Sequence, residues 1–302
     1  MSFRRLWQAT VSELVRAVRS RRAIVVLVLY LAASLLCMNG AITVLGKIET
    51  QLSEVLQLPQ DEGKSGVVSA TLWRSKQFQK IVKGAVGDSL VYDDITGKHP
   101  AELIYALLAF LYVPLLTIMI SANRVADDLR SGSVRYMITR VTRFEWSFGK
   151  YLGGAVLLAA ALLLGGLAAW GVAAYRLGGA DIAELLPSML GWSCKAWLVS
   201  LSWLGVSLGV SHFFHSGSKA TALATVVMVV FAVVPKVIDH FVAAGSWPAR
   251  LELLERFCPG VVEDGLWRAS FVPVASSSVW LVMLGLLYFS VGYAYFAGRD
   301  AR

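Results

Sequence analysis

The sequence predicts an all-α polytopic membrane protein: six transmembrane helices, an N-terminal amphipathic helix and a small helical extracytoplasmic insert. Three observations carry this. Of 302 residues, 57% are apolar and only 16% charged, where soluble domains average about half apolar and a quarter charged. Six apolar runs, 23–45, 101–122, 152–175, 187–214, 220–241 and 276–298, each reach the roughly twenty residues that cross a bilayer as a helix. None alternates with the two-residue period of a membrane barrel strand.

Charge placement predicts the topology. Six of the 28 Lys and Arg precede the first run, and six more (Arg124, Arg130, Arg135, Arg140, Arg143, Lys150) fill the connector after the second. The short connectors on the other side carry only Arg176, then Arg250, Arg256 and Arg268. Short basic loops stay in the cytoplasm, so both termini are expected there, as an even number of spans requires. The net charge of +8 therefore reports topology, and a nucleic-acid partner is not expected. Cys37, Cys194 and Cys258 are far apart, with no CxxC or metal-type spacing, so neither a disulfide framework nor a metal site is expected. The first apolar run is too long for a cleavable signal peptide.

Residues 1–22 form the first element. Phe3, Leu6, Trp7, Val11, Leu14, Val15 and Val18 follow helical spacing, with Arg5, Gln8, Ser12, Arg16 and Arg19 largely elsewhere. An aromatic-bearing apolar face opposite a cationic one suits the headgroup boundary, making membrane lipids a partner. The span 23–45 follows, then an insert at 46–100 with seven basic and seven acidic residues. That balance gives no retention signal, so a small helical cap outside the membrane is predicted. Its Gly63-Lys64-Ser65 is not a phosphate loop: Leu58 stands where the earlier glycine is needed.

The span 101–122 carries Pro114, a kink signal, and runs into the polar connector 123–151. Residues 152–302 hold the remaining four spans. The third is rich in Gly and Ala, which lets helix backbones approach closely in lipid. The fourth contains Lys195, placed to snorkel towards headgroups or to face a pathway. It ends on His212 and His215, expected as polar anchors at the interface. The fifth ends on Lys236, Asp239 and His240, with Lys236 and Asp239 spaced to neutralise one another. Lys195, Lys236 and Asp239 are the candidate pathway residues. The half-apolar stretch near 242–275 predicts short interfacial or re-entrant helices, which must be covered by protein or line a cavity. Tyr293, Tyr295 and Phe296 close the sixth span as an aromatic belt.

No catalytic constellation is present: no HExxH, no Gly-x-Ser-x-Gly, no carboxylate pair within a span, no complete nucleotide loop. The chain is not expected to be an enzyme or to couple ATP alone. Scarce intramembrane charge also disfavours ion coupling, so a partner ATPase is the simpler energy source.

The connector gives that partner a form. Asp128, then Gly132-Ser133-Val134, Tyr136-Met137-Ile138, Val141-Thr142-Arg143 and Gly149-Lys150 follow the pattern of the first cytoplasmic loop of ABC-2-type transporter permeases. The chain resembles that family, whose members include multidrug-type and multi-copper-enzyme-maturation permease subunits. The resemblance implies that residues 1–22 are the elbow helix and 123–151 a coupling loop. Asp127, Asp128, Gly132, Ser133, Arg135, Tyr136, Met137, Arg140, Arg143 and Lys150 are then the candidates for contact with an ATP-binding subunit. ATP and Mg would sit on that subunit and no cofactor on this chain. A second permease subunit, identical or not, and the bacterial inner membrane are further implications, as is export. A scaffold that holds partners through the insert, or a membrane-embedded enzyme, is the competing class.

Overall fold

The computed structural model describes residues 3–56, 98–177, 182–243 and 252–298, and no strand occurs among them. The chain runs α1 (Phe3–Arg19), α2 (Arg21–Leu56), α3 (Pro100–Ser121), α4 (Arg124–Ser131), α5 (Ser133–Ile138), α6 (Arg143–Leu177), α7 (Ile182–Ser211) and α8 (Gly217–Ala243). Two four-residue helices, α9 (Glu252–Glu255) and α10 (Pro259–Val262), and a 3-10 turn at Glu263–Trp267 precede α11 (Phe271–Ala297). Helices α2, α3, α6, α7, α8 and α11 contain the six segments long and apolar enough to cross a membrane. The predicted insert falls largely at 57–97, and part of the stretch before α9 at 244–251, outside the described residues.

Two boundaries differ most from the sequence reading. Helix α2 continues through Leu56, so the apolar spacing of the insert's first residues prolongs span one. Helix α6 starts at Arg143, nine residues before the apolar run. The cause is a capping box: the Glu145 carboxylate accepts from the Thr142 amide (3.0 Å) and the Thr142 hydroxyl accepts from the Glu145 amide (3.2 Å). At the opposite end of the bundle, Pro100 occupies the first turn of α3 and the His99 ring accepts from the Ala101 amide.

Helix α7 is the centre. Of its apolar window 72% is buried, against 22% for α2 and 17% for α8, and it packs on α3, α6, α8 and α11. Its closest neighbour is α11, through Gly205 and Gly209 of α7. A side chain at Gly205 would run into the backbone of Gly285, and one at Gly209 would meet the Tyr288 carbonyl oxygen at 2.5 Å. Small residues four apart let two backbones touch where lipid offers no hydrophobic drive for association.

Helix α1 lies along the loop-side part of α6. It buries Leu6, Ala9, Thr10, Glu13 and Ala17 and leaves Phe3, Trp7, Val11, Val15 and Val18 exposed. Most of the apolar stripe read from the sequence, though not Leu6, therefore faces away from the protein, where lipid can take it, and a partly polar face of mostly small residues makes the helix contact. Gly149 provides the seat, since a Cβ there would sit 2.8 Å from that of Ala9.

At the insert end, α9, α10 and the 3-10 turn fold back beneath α11. Trp280 donates to the Arg256 carbonyl (2.8 Å) and Tyr288 to that of Phe257 (2.6 Å). Tyr288 stands about 25 Å along α11 at 1.5 Å per residue, so this segment reaches well down between the long helices. Glu255, Cys258, Pro259, Leu266 and Trp267 of this segment are buried, whereas Leu253, Leu254 and Phe257 are exposed.

Candidate functional site

The connector between α3 and α6 is two short helices hinged at Gly132, whose φ of 71° is left-handed. That conformation costs an L-residue about 1–2 kcal/mol and glycine little. Helix α4 is held from above by its own backbone: the Ala126 amide donates to the Ser211 hydroxyl of α7 at 3.0 Å. Asn123 donates to Asp127 (2.6 Å), and Val134 of α5 is buried.

Beneath the hinge lies a charge cluster drawn from three parts of the chain. Glu13 of α1 pairs with Lys150 of α6 at 3.1 Å and with Arg124 of α4 at 3.3 Å. Asp128 of α4 pairs with the same Lys150 at 2.7 Å and with Arg16 of α1 at 2.8 Å. Arg124 also donates to the Ile120 carbonyl at the end of α3 (2.8 Å). Lys150 is only 2% exposed and lies 5.0 Å over the Trp146 ring. Removing such an ammonium from water is expensive unless it is paired and hydrogen-bonded. Two carboxylates from different helices meet that requirement only when α1, α4 and α6 are docked together. A cavity of about 140 Å³ opens beside the cluster, walled additionally by Ala17, Ser20, Arg22 and Ala23.

Two further ties hold the loop end. Arg143 donates to the Ala297 carbonyl at 3.0 Å, satisfying the last turn of α11. His212, one residue past α7, is fully buried and packs on Phe289 and Phe296. Its Nδ1–H faces the Leu208 carbonyl (2.6 Å), leaving Nε2 to accept from the Ser147 hydroxyl (2.6 Å). Burial pushes its pKa down to about 4. The sequence expectation of an interfacial anchor fits His215, which is exposed, and not His212.

The ten candidate coupling residues thus divide. Asp128, Lys150 and Arg143 are engaged within the chain. Lys150, expected where span three starts, lies two turns inside α6. Gly132 makes the hinge, Ser133 donates to the Asp128 carbonyl (3.3 Å), and Asp127 holds Asn123 and Arg130. Met137 packs partly inward. Arg135, Tyr136 and Arg140 point outward, Tyr136 being 81% exposed.

The candidate pathway residues stand at the other end. Lys195 donates to the Leu266 carbonyl at 2.7 Å and lies 4.3 Å over the Trp192 ring, pinning the 3-10 turn to α7. Trp192 in turn donates to Glu102 (2.7 Å) and meets Trp267 and Phe110. Lys236 and Asp239 are both exposed on α8, and no ion pair joins them. Their expected mutual neutralisation is corrected: at exposed positions solvent screens both charges and holds neither side chain in place. Among the described residues, no three His, Cys, Asp or Glu gather as a metal site.

Sequence reasoning passed over Glu13, Arg16, Arg124 and Glu145. Two of them left a signal. Glu13 is the only acid among the first 48 residues, on a helix otherwise cationic, and Thr142-Arg143-Phe144-Glu145 is a readable capping box. A family model described as ABC-2 family transporter protein matches residues 10–251, from within α1 to just before α9. No curated protein matches the chain.

Proposed function

The chain belongs to the ABC-2 transporter family and is a transmembrane permease component, and from that premise we propose that an ATP-binding subunit docks on the exposed tip of the Asn123–Thr142 loop. Family members generally work with such a subunit. The observation that carries the reading is the division of the loop: Arg135, Tyr136 and Arg140 are free on its surface, while its other side is tied to four helices. Ser211 ties it to α7, Glu13 and Arg16 to α1 and Lys150 to α6, and Arg143, where α6 begins, ties the end of the loop to α11.

A push on such a tip moves those helices rather than bending the loop. Interaction energy is transmitted only through an element that has few ways to relax, and buried ion pairs and packed backbones have few. In this reading two permease chains pair with two ATPases that hold ATP and Mg. Closure of the ATPases drives the two loops together and reshapes a path between the permeases. The loop end then lies in the cytoplasm with both termini, at a bacterial inner membrane. The direction is outward, as the family resemblance implies. Lys236 and Asp239 would border the path at its far end, and Lys195 would hold the covering segment over it.

The test is affinity purification in mild detergent of wild type against Tyr136→Ala combined with Arg135→Glu. An ATPase that accompanies wild type and is lost from the variant, with the permease still monodisperse, supports the reading. No ATPase with wild type in several gentle detergents overturns it.

A further inference from the structure

Helices α2 and α6 pack on each other, and along the outer edge of that contact an open groove lies between two direct touches. At the lower level Tyr30 of α2 lies against Gly165, where a Cβ would come within 2.5 Å of the ring. At the upper level Arg176 of α6 donates to the Thr43 hydroxyl of α2 at 3.1 Å. Between them is an open cleft of about 510 Å³ lined by Leu35, Leu36, Asn39, Ala168, Gly171, Val172, Tyr175 and Arg176. Gly171 contributes to the opening, because a Cβ placed there would meet nothing within 4 Å.

The dimensions of this window select its occupant. The lining runs from Leu35 to Asn39 on α2, about 6 Å of helix, and from Ala168 to Arg176 on α6, about 12 Å, which lies within the roughly 15 Å hydrocarbon depth of one leaflet. The walls in between are apolar, and Leu36 is 71% exposed on them. The polar groups, Asn39, Tyr175 and the Arg176 guanidinium, lie together at the end near the tip of α6, with Arg176 the one charge among the lining residues. An apolar slot within one leaflet, headed by a single cation with donors to spare beside an aromatic ring, matches a lipid that carries a phosphate above an acyl chain.

We propose that this cleft binds an anionic phospholipid from the leaflet at the insert end, its phosphate on Arg176 and one acyl chain lying along Leu35, Leu36, Ala168 and Val172. The lipid covers the outer edge of the contact between α2 and α6. It also fills the space beside α2, one of the least buried of the long helices.

Two variants separate this site from the basic α1, which also attracts anionic lipid. Gly171→Leu fills the slot without a steric clash, and Arg176→Gln removes the charge while keeping a donor for Thr43. The full chain is extracted from membranes containing phosphatidylglycerol and phosphatidylethanolamine, and retained lipid is counted by native mass spectrometry. The expected result is one phosphatidylglycerol fewer per chain in Gly171→Leu, and replacement of phosphatidylglycerol by phosphatidylethanolamine in Arg176→Gln. Retention equal to wild type in both variants overturns the proposal. So does a change in the number of permease copies per particle in Gly171→Leu with lipid retention unaltered, which would make the cleft a surface between two chains.

Discussion

At Lys150 an ammonium group sits where water hardly reaches, and two carboxylates from different helices offset the cost. Glu13→Gln removes one of them and leaves Lys150 and Arg124 short of negative charge, an arrangement that costs about 3–5 kcal/mol when an ion pair is buried. Arg16→Ala touches the same cluster from its rim. The Arg16 side chain is 47% exposed, so solvent screening keeps its loss to about 1 kcal/mol or less. Thermal unfolding in detergent should rank the two in that order, and equal costs would contradict the burial argument. His212 has a pH signature. Its folded pKa of about 4 lies below the ordinary 6.5, so below about pH 6.5 the unfolded chain takes up a proton that the folded chain refuses. The stability held by this site is complete above pH 6.5 and is lost as the pH falls towards 4. His212→Gln should flatten that part of a stability-against-pH curve, and an unchanged slope would place the titrating group elsewhere.

Helix α1 has two faces with different partners, and its attachment depends on Gly149 as much as on charge. Gly149→Val drives a branched side chain into Ala9 and its backbone. The elbow must lift, which also strips Glu13 and Arg16 from the cluster. The peptide bonds around Arg19, Arg21 and Arg22 should then be cut by trypsin at least several-fold faster than in wild type, with α6 to α11 still protected. Gly171→Leu on the same helix α6 should leave the cutting rate unchanged, because there the added side chain meets open space. At the loop, Gly132→Ala should cost about 1–2 kcal/mol from its left-handed backbone, read as a lower melting point without loss of helix content.

Across the whole molecule, the loop end and the insert end are held by different means. A buried charge cluster centred on Lys150 binds the loop end, whereas Trp192, Trp267 and Phe110 with Lys195 bind the other. A signal entering at the loop tip reaches the far end through the long helices that the loop touches, α3, α6, α7 and α8 among them. Variants at the tip and at the ties should therefore behave differently. Arg140→Glu should weaken ATPase association about tenfold, roughly 1.4 kcal/mol, with the melting point unchanged. Arg143→Ala should leave the ATPase bound and lower transport-coupled ATP hydrolysis, because the α11 end is no longer tied to the loop. If Arg143→Ala instead releases the ATPase, Arg143 belongs to the docking surface.

Composition and run length alone determined the all-α membrane class, because crossing a bilayer leaves a helix few alternatives. Each of the six apolar runs falls on one long helix, overrunning its end by at most three residues, although neither the start of α6 nor the continuation of α2 could be read from hydropathy, which is blind to caps. The basic connector also stood out in the sequence. Which of its residues look inward did not, since Asp128 and Lys150 are charged like Arg135 and Arg140. Tertiary structure decided that division: only when α1 lies against Gly149 does Glu13 arrive beside Lys150, 137 residues away in sequence. Local spacing records which face of a helix is apolar. It does not record which helix will supply the counter-charge, because that pairing exists only after the bundle has closed.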